Sequence, residues 1–68
     1  MANTSASPIL RFFEFEHLPT ELQDVSQAFA NLAAYVETRL PAGAEKSTAL
    51  RKLLEGKDAA VRAALPPR

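Results

Sequence analysis

The stretch LQDVSQAFANLAAYVETRLPAG, residues 22–43, decides the fold. Its large apolar residues recur at spacings of three and four, as on one face of a helix. They are Leu22, Val25, Phe29, Leu32 and Val36. Pro41 disfavours helical geometry in the residue before it, and Gly43 supplies a turn. A connection this short joins antiparallel neighbours, so the sequence predicts two helices packed as a hairpin.

The second helix is predicted over residues 44–64, ahead of Pro66 and Pro67. Its apolar face is rich in alanine and consists of Ala49, Leu50, Leu53, Leu54, Ala60, Val61 and Ala64. Gly56 adds a further small residue in mid-helix, at a cost of roughly 1 kcal/mol against alanine. Such a face allows another part of the chain to approach closely.

The segment before the first helix, ILRFFEFEHL at residues 9–18, carries three of the four phenylalanines. From Phe13 onwards apolar and acidic residues alternate, which favours an extended arm with one apolar edge. The first helix is predicted over residues 20–39, begun by Thr20 with Gln23 in a capping box. Residues 1–8 are predicted to be a disordered tail, so that residues 9–65 form the arm and hairpin domain.

The chain has 68 residues, no cysteine and one histidine. A core in so short a chain seldom supplies more than about 3–5 kcal/mol, and disulfides are absent. A hairpin has one interface, and these helices carry more apolar surface than it can bury. The sequence therefore predicts a homo-oligomer. The arm covers either its own hairpin or that of a neighbour, and the sequence does not decide between them.

Charge divides the chain into two halves. Residues 1–40 carry two basic and five acidic residues, residues 41–68 carry six and three, and the net charge is zero. DNA binding is disfavoured because no long basic stripe is present. No apolar run is long enough for a membrane span, and the first residues lack the pattern of a signal peptide, so a cytoplasmic protein without a membrane partner is expected.

Catalytic motifs are missing, so we expect neither an enzyme nor a cofactor. Glu14, Glu16 and His17 are residue types that serve in acid–base clusters and in metal sites. Alternation along the arm places Glu16 opposite His17, and a single histidine beside a proline is more often a capping or packing group. No metal site is therefore predicted.

The start of the second helix resembles an anion site. Lys46 lies in the first turn, where a cation opposes the helix dipole, next to the hydroxyls of Ser47 and Thr48 and to free backbone amides. Residues 43–48 are thus a candidate phosphate site, although an ordinary helix also begins with a turn and a residue like Glu45. Arg51 is a further cation, with Glu55 one helical turn away as its expected surface partner.

The segment 13–65 resembles the helical-hairpin domain of phage anti-CBASS and Thoeris anti-defence sponges, which sequester cyclic oligonucleotides. The resemblance is strongest in EKSTALRKLLEGKDAAV, residues 45–61. It implies a viral, hexameric, non-catalytic protein in the cytoplasm of the infected bacterial host. The implied ligands are cyclic dinucleotides and, in some members, cyclic trinucleotides, held in pockets shared between protomers by a stacked aromatic ring and basic residues.

The resemblance places the stacking aromatic residue at Phe15 and the turn before the second helix at residues 43–47. Two basic positions of the family are occupied here by Ala44 and Ser26. The predicted ligand-binding residues are Phe15, Gly43, Ala44, Lys46, Ser47 and Arg51. The alternative to a nucleotide sponge is a structural or protein-binding hairpin that uses its surplus apolar surface.

Overall fold

The computed structural model describes residues 7–65, and this part of the chain is helical without any strand. A short 3₁₀ helix, Pro8–Phe13, precedes two long helices, α1 over Thr20–Arg39 and α2 over Ala44–Ala64. The two long helices pack against each other, and the 3₁₀ helix packs on both. The predicted all-α hairpin is therefore confirmed, with its helices where the sequence placed them.

The turn between the helices follows from its proline and glycine. Leu40 is extended (φ −110°, ψ 143°) and ends α1, as expected for a residue before Pro41. Gly43 has φ 156° and precedes α2, in a region of backbone conformation that favours glycine. Its carbonyl oxygen accepts the first hydrogen bond of α2, from the Ser47 amide at 3.1 Å. Gly43 thus shapes the tight reversal.

The start of α1 differs from the predicted capping box. Pro19, not Thr20, is the residue before the first helical turn, and no side chain of residues 7–65 makes a capping hydrogen bond there. Gln23 reaches backwards instead, where its Nε2 donates to the carbonyl oxygens of Leu18 (2.8 Å) and Glu16 (3.3 Å). Gln23 therefore fixes the approach of the chain to the helix.

The arm is not extended, which corrects the prediction from alternation. Pro8 presets the first turn of the 3₁₀ helix, in which residues three apart share a face. Leu10 and Phe13 consequently point to the same side and pack on the hairpin of their own chain. The prediction of a disordered tail is also wrong at its last two residues, because Ser7 is hydrogen-bonded to Glu37 and Pro8 belongs to the 3₁₀ helix. Residues 1–6 of the predicted tail lie outside the described residues.

The buried face of α1 is rotated from the predicted one. Leu22 is buried as expected, but its companions are the fully buried Ser26 and Ala33, whereas Leu32 is 47% exposed. The small side chain of Ala33 packs with Leu50 of α2, and Phe29 and Val36 are partly buried against the same cluster. A helix pair can approach more closely over small residues than over leucines, and this favours the rotated face.

The centre of the molecule receives one buried residue from each element: Phe13 from the 3₁₀ helix, Ala33 from α1 and Leu50 from α2. Gly56 lies further along α2, next to the ring of Phe29. The close approach predicted at Gly56 is thus made by an aromatic ring. So few buried side chains leave the hairpin dependent on each of them.

Replacing Gly56 by alanine is expected to stabilise the chain by up to about 1 kcal/mol, because alanine has the better helix propensity. A Cβ atom at this position would lie 3.4 Å from Cε1 of Phe29, an ordinary contact distance. Urea denaturation of both proteins measures the difference. Gly56→Val, with larger atoms directed at the ring, should destabilise instead. A less stable Gly56→Ala variant would show that the ring cannot accommodate even a methyl group.

Large apolar side chains remain exposed on several sides of the described chain. Phe12 is 53% exposed, Tyr35 56%, and Leu40 and Leu65 45% each, in addition to Leu32. The expected surplus of apolar surface is therefore present. Within residues 7–65, neither long helix combines the length and the hydropathy that a membrane crossing requires.

Candidate functional site

Two of the predicted ligand-binding residues line one surface cleft. Ser47 and Arg51 face it from α2, and Ser7 to Ile9 form its opposite wall. The cleft has a volume of about 220 Å³ and Leu50 at its base. We name it the Arg51 cleft. Its wall of N-terminal residues was not anticipated, because the sequence placed residues 7 and 8 in a disordered tail.

The Arg51 side chain is exposed and is not engaged as predicted. Glu55, its expected partner, lies instead 3.7 Å from Lys52. Among residues 7–65 no ion pair or side-chain hydrogen bond involves Arg51. A guanidinium group presents donors in a planar fork that matches phosphate oxygens, so Arg51 is available for an anion in this cleft.

Gly43 and Ala44 lie at the exposed start of α2, one turn before Ser47. The first helical turn leaves backbone N–H groups without intrahelical partners, and no side chain caps them in the described chain. Neither residue lines the Arg51 cleft. What these two residues present to solvent is therefore the backbone at the positive end of the helix dipole.

Lys46 is directed away from solvent, which the sequence did not predict. Its Nζ donates to the backbone carbonyl of Glu37 at 2.9 Å and lies 3.3 Å from Oε1 of the same residue. The Lys46 side chain is only 10% exposed and that of Glu37 only 12%. Lys46 is thus paired inside the fold instead of standing free at the helix start.

Glu37 accepts further hydrogen bonds from the N-terminal segment. The Ser7 hydroxyl donates to Oε1 at 2.7 Å, and the Ser7 backbone N–H donates to Oε2 at 3.1 Å. The hydrogen bond from the Ser7 side chain and the contacts with Lys46 lower the pKa of the Glu37 carboxyl, against an opposing effect of burial. The ionised carboxylate therefore joins Ser7, α1 and α2.

Acid is expected to weaken this junction. Because the pKa of Glu37 is lowered in the folded chain, its stabilising contribution is complete above the pKa of an unfolded glutamate, about 4.3. It is lost as the pH falls through the lower folded value. Thermal unfolding followed from pH 7 to pH 3 should show this loss in the wild type and a smaller one in Glu37→Gln. Equal acid sensitivity of the two proteins would contradict it.

Phe15 lines a second cleft, of about 240 Å³, between the turn that follows the 3₁₀ helix and α1. Its walls are mostly apolar and include Ala30 and Ala34, with Glu14 and Glu16 also lining it. We name it the Phe15 cleft. Its lining residues differ entirely from those of the Arg51 cleft, so one chain does not bring the predicted aromatic and basic residues together.

Glu14, Glu16 and His17 do not line one common cleft. His17 lines a third cleft with Arg11 and Lys57, whereas Glu14 and Glu16 line the Phe15 cleft. Across residues 7–65, no three histidine, aspartate or glutamate side chains are grouped so as to hold a metal ion.

Lys57, which interrupts the apolar face of α2, donates to the carbonyl oxygen of Phe12 at 3.0 Å.

Ser26, where the resemblance implies a basic residue, is fully buried in α1. Its hydroxyl has no hydrogen-bond partner within the described part of the chain. A side chain at this position is enclosed by the fold and is not presented to a ligand on the outside of the hairpin. The other such position, Ala44, is exposed at the turn.

The sequence contained a sign of one missed contact. Glu37 is near the end of α1 and Lys46 is near the start of α2, and a short hairpin turn brings these positions together. No comparable sign marked Ser7, whose partner is 30 residues away. Comparison with known proteins found no match: no family model, no curated protein and no solved structure corresponds to this chain.

Proposed function

We propose that this chain is a non-catalytic sponge that binds cyclic oligonucleotide immune signals, cyclic dinucleotides first and cyclic trinucleotides second, and so blocks a host anti-phage defence. The resemblance of residues 13–65 to the anti-CBASS and Thoeris anti-defence hairpins supplies the ligand class. One structural observation carries the proposal further: the exposed Arg51 guanidinium, without an ion-pair partner among residues 7–65, shares a cleft with the Ser47 hydroxyl.

The chemistry of the cleft fits a phosphodiester. Arg51 can donate two parallel hydrogen bonds to phosphate oxygens, and the Ser47 hydroxyl can donate a third. Both residues lie in the N-terminal half of α2, whose dipole favours an anion near its start. Sequestration requires only tight binding and slow release, so no catalytic group is needed.

The separation of the two named clefts bears on assembly. A base stacked on Phe15 and a phosphate held by Arg51 belong to different surfaces of one chain. We therefore propose that each ligand site combines the Phe15 cleft of one protomer with the Arg51 cleft of another. The resemblance implies a hexamer in the cytoplasm of the infected bacterium, and the exposed apolar side chains supply surface for its contacts.

A thermal-shift screen against cyclic di- and trinucleotides tests the ligand. A compound that binds only the folded protein raises stability by RT ln(1 + [L]/Kd). Arg51→Ala should lose most of the shift. Arg62→Ala should keep it, because Arg62 is also exposed but lies eleven residues, about three helical turns, after Arg51 on α2 and does not line the cleft. Phe15→Ala should lose roughly 1–3 kcal/mol of binding if the ring stacks on a base.

Melting of each variant without ligand is the necessary control, because Phe15 is partly buried. A variant that melts like the wild type yet loses the shift has lost a ligand contact. The absence of any shift with every cyclic di- and trinucleotide would contradict the proposed function.

Light scattering tests the assembly. Leu32→Asp places a charge on an exposed apolar residue and should reduce the mass of an oligomer while the hairpin stays helical. Asn31→Asp adds the same charge one position away, on an exposed polar residue, and should leave the mass unchanged. A monomeric wild type at micromolar concentration would contradict the proposed oligomer.

The exposed apolar residues also favour a second candidate, a structural or protein-binding hairpin without a nucleotide ligand. The two candidates differ in what Arg51 does. A hairpin that acts through its apolar surface alone is indifferent to Arg51→Ala, and it shows no thermal shift with a cyclic oligonucleotide.

A further inference from the structure

Lys46 and Glu37 each lie at the unfavourable end of their own helix. Glu37 is close to the C-terminal end of α1, where the dipole disfavours an anion, and Lys46 is in the first turn of α2, where it disfavours a cation. Their ion pair across the turn offsets both effects. The charges of the two side chains therefore complement each other and oppose the dipoles of their own helices.

A second reason for the pair lies in the backbone. The Glu37 carbonyl would accept the N–H of residue 41 in a continued helix, but residue 41 is proline and has no N–H. Lys46 Nζ donates to this carbonyl oxygen instead, at 2.9 Å. One ammonium group thus satisfies both the carboxylate of Glu37 and the carbonyl that Pro41 leaves without a donor.

The same carboxylate holds the wall of the Arg51 cleft. Ser7 binds Glu37 through its hydroxyl and its backbone N–H, and Ser7, Pro8 and Ile9 form the side of the cleft opposite Arg51. The order of contacts is therefore Lys46 to Glu37, Glu37 to Ser7, and Ser7 to the cleft.

We infer that Lys46 and Glu37 are positioning residues, which fix Ser7 and thereby the N-terminal wall of the Arg51 cleft, and that Lys46 does not itself bind the ligand. The part of this inference that concerns the ligand rests on the proposed function. It reassigns Lys46, which the sequence alone favoured as a phosphate contact, because its ammonium group is buried against Glu37. Arg51 is then the cation that meets the phosphate.

The test compares Lys46→Met, which keeps most of the aliphatic stem, with Lys46→Arg, which restores a cation. Lys52→Met is the matched control, because Lys52 is on the same helix with its side chain 68% exposed. Amide hydrogen exchange of residues 9–13 is measured without ligand. Lys46→Met should speed this exchange by about tenfold or more, as expected when a hydrogen bond to a charged group is lost. Lys46→Arg should largely reverse the change, and Lys52→Met should cause none.

Affinity is then measured for the cyclic dinucleotide that gives the largest thermal shift, at several salt concentrations. Substitution of a positioning residue changes the affinity but not the salt dependence of the affinity. Removal of a cation that contacts the phosphate makes the affinity less dependent on salt. Lys46→Met should therefore weaken binding with the wild-type salt dependence, and Arg51→Ala should flatten it. A flatter salt dependence in Lys46→Met, or unchanged exchange of residues 9–13, would overturn the inference.

Ser7→Ala provides a second variant that leaves the Lys46–Glu37 pair intact and removes one hydrogen bond from the wall. It should speed the same exchange and weaken the same binding, even if Lys46→Met fails to fold. Where the wild type binds no cyclic oligonucleotide, the proposed function fails, and the exchange data still decide whether Lys46 fixes the wall.

Discussion

Phe13→Ala is expected to detach the N-terminal segment and to leave the chain with little or no net stability, because truncation of a buried phenylalanine costs about 3–5 kcal/mol and a core of this size supplies about as much. Phe13 is only 3% exposed and packs at the centre of the molecule beside Ala33 and Leu50. Loss of the ring leaves a cavity and exposes Ala33 and Leu50 to solvent. Urea denaturation followed by circular dichroism measures the change, and trypsin should cut after Arg11 once the segment is detached.

Phe12→Ala is the matched control, since it removes the same ring from the adjacent residue. Phe12 is 53% exposed, with the Arg11 guanidinium 5.2 Å from its ring centre. Its removal should cost less than about 1 kcal/mol, within the range of a surface substitution that also loses a cation–π contact. Equal effects of the two substitutions would mean that the segment does not pack as described.

The helices could be predicted because local rules determine them. Pro41 and Gly43 restrict the backbone at and next to their own positions. The apolar residues recur at spacings of three and four, which is the period of a helix and not of a strand. These constraints are independent of what the helix packs against. The bounds Thr20–Arg39 and Ala44–Ala64 therefore agree with the sequence.

The face of α1 could not be predicted by the same rules. A count of large apolar residues favours Leu32, whereas the helix interface places the small Ala33 at its centre and leaves Leu32 outside. Which neighbouring position is buried depends on how closely α2 approaches, and that depends on both helices together. The 3₁₀ helix was missed because Phe13 and Phe15 alternate with acidic residues, and alternation predicts an extended strand. The packing of Leu10 and Phe13 together on the hairpin is a tertiary contact that this local pattern does not show.

The sequence could predict part of the geometry of the Arg51 cleft. Ser47 and Arg51 lie four residues apart, so helix geometry alone puts them on one face. Lys46 was placed correctly at the start of α2, but its partner was not, because the effect of Pro41 on the Glu37 carbonyl appears only when the turn is built. No local rule connects Ser7 to Glu37.

Leu50→Ala is expected to unfold most of the chain at room temperature. Leu50 is fully buried, lies where all three elements meet, and forms the base of the Arg51 cleft. Truncation of a buried leucine to alanine costs about 2–5 kcal/mol, and a core of this size supplies only about 3–5 kcal/mol in total. Circular dichroism should show the loss of most helical signal, at one fixed protein concentration because association would add stability.

Leu65→Ala is the control for Leu50→Ala, because the same atoms are removed from a side chain that is 45% exposed just after α2. It should change the free energy of unfolding by less than about 1 kcal/mol. If Leu50→Ala retained a cooperative melt close to that of Leu65→Ala, the stability of the hairpin would have to come from contacts between chains instead of from its own centre. A mass measurement of Leu50→Ala would then separate the two sources, since only a stable oligomer could keep the variant folded.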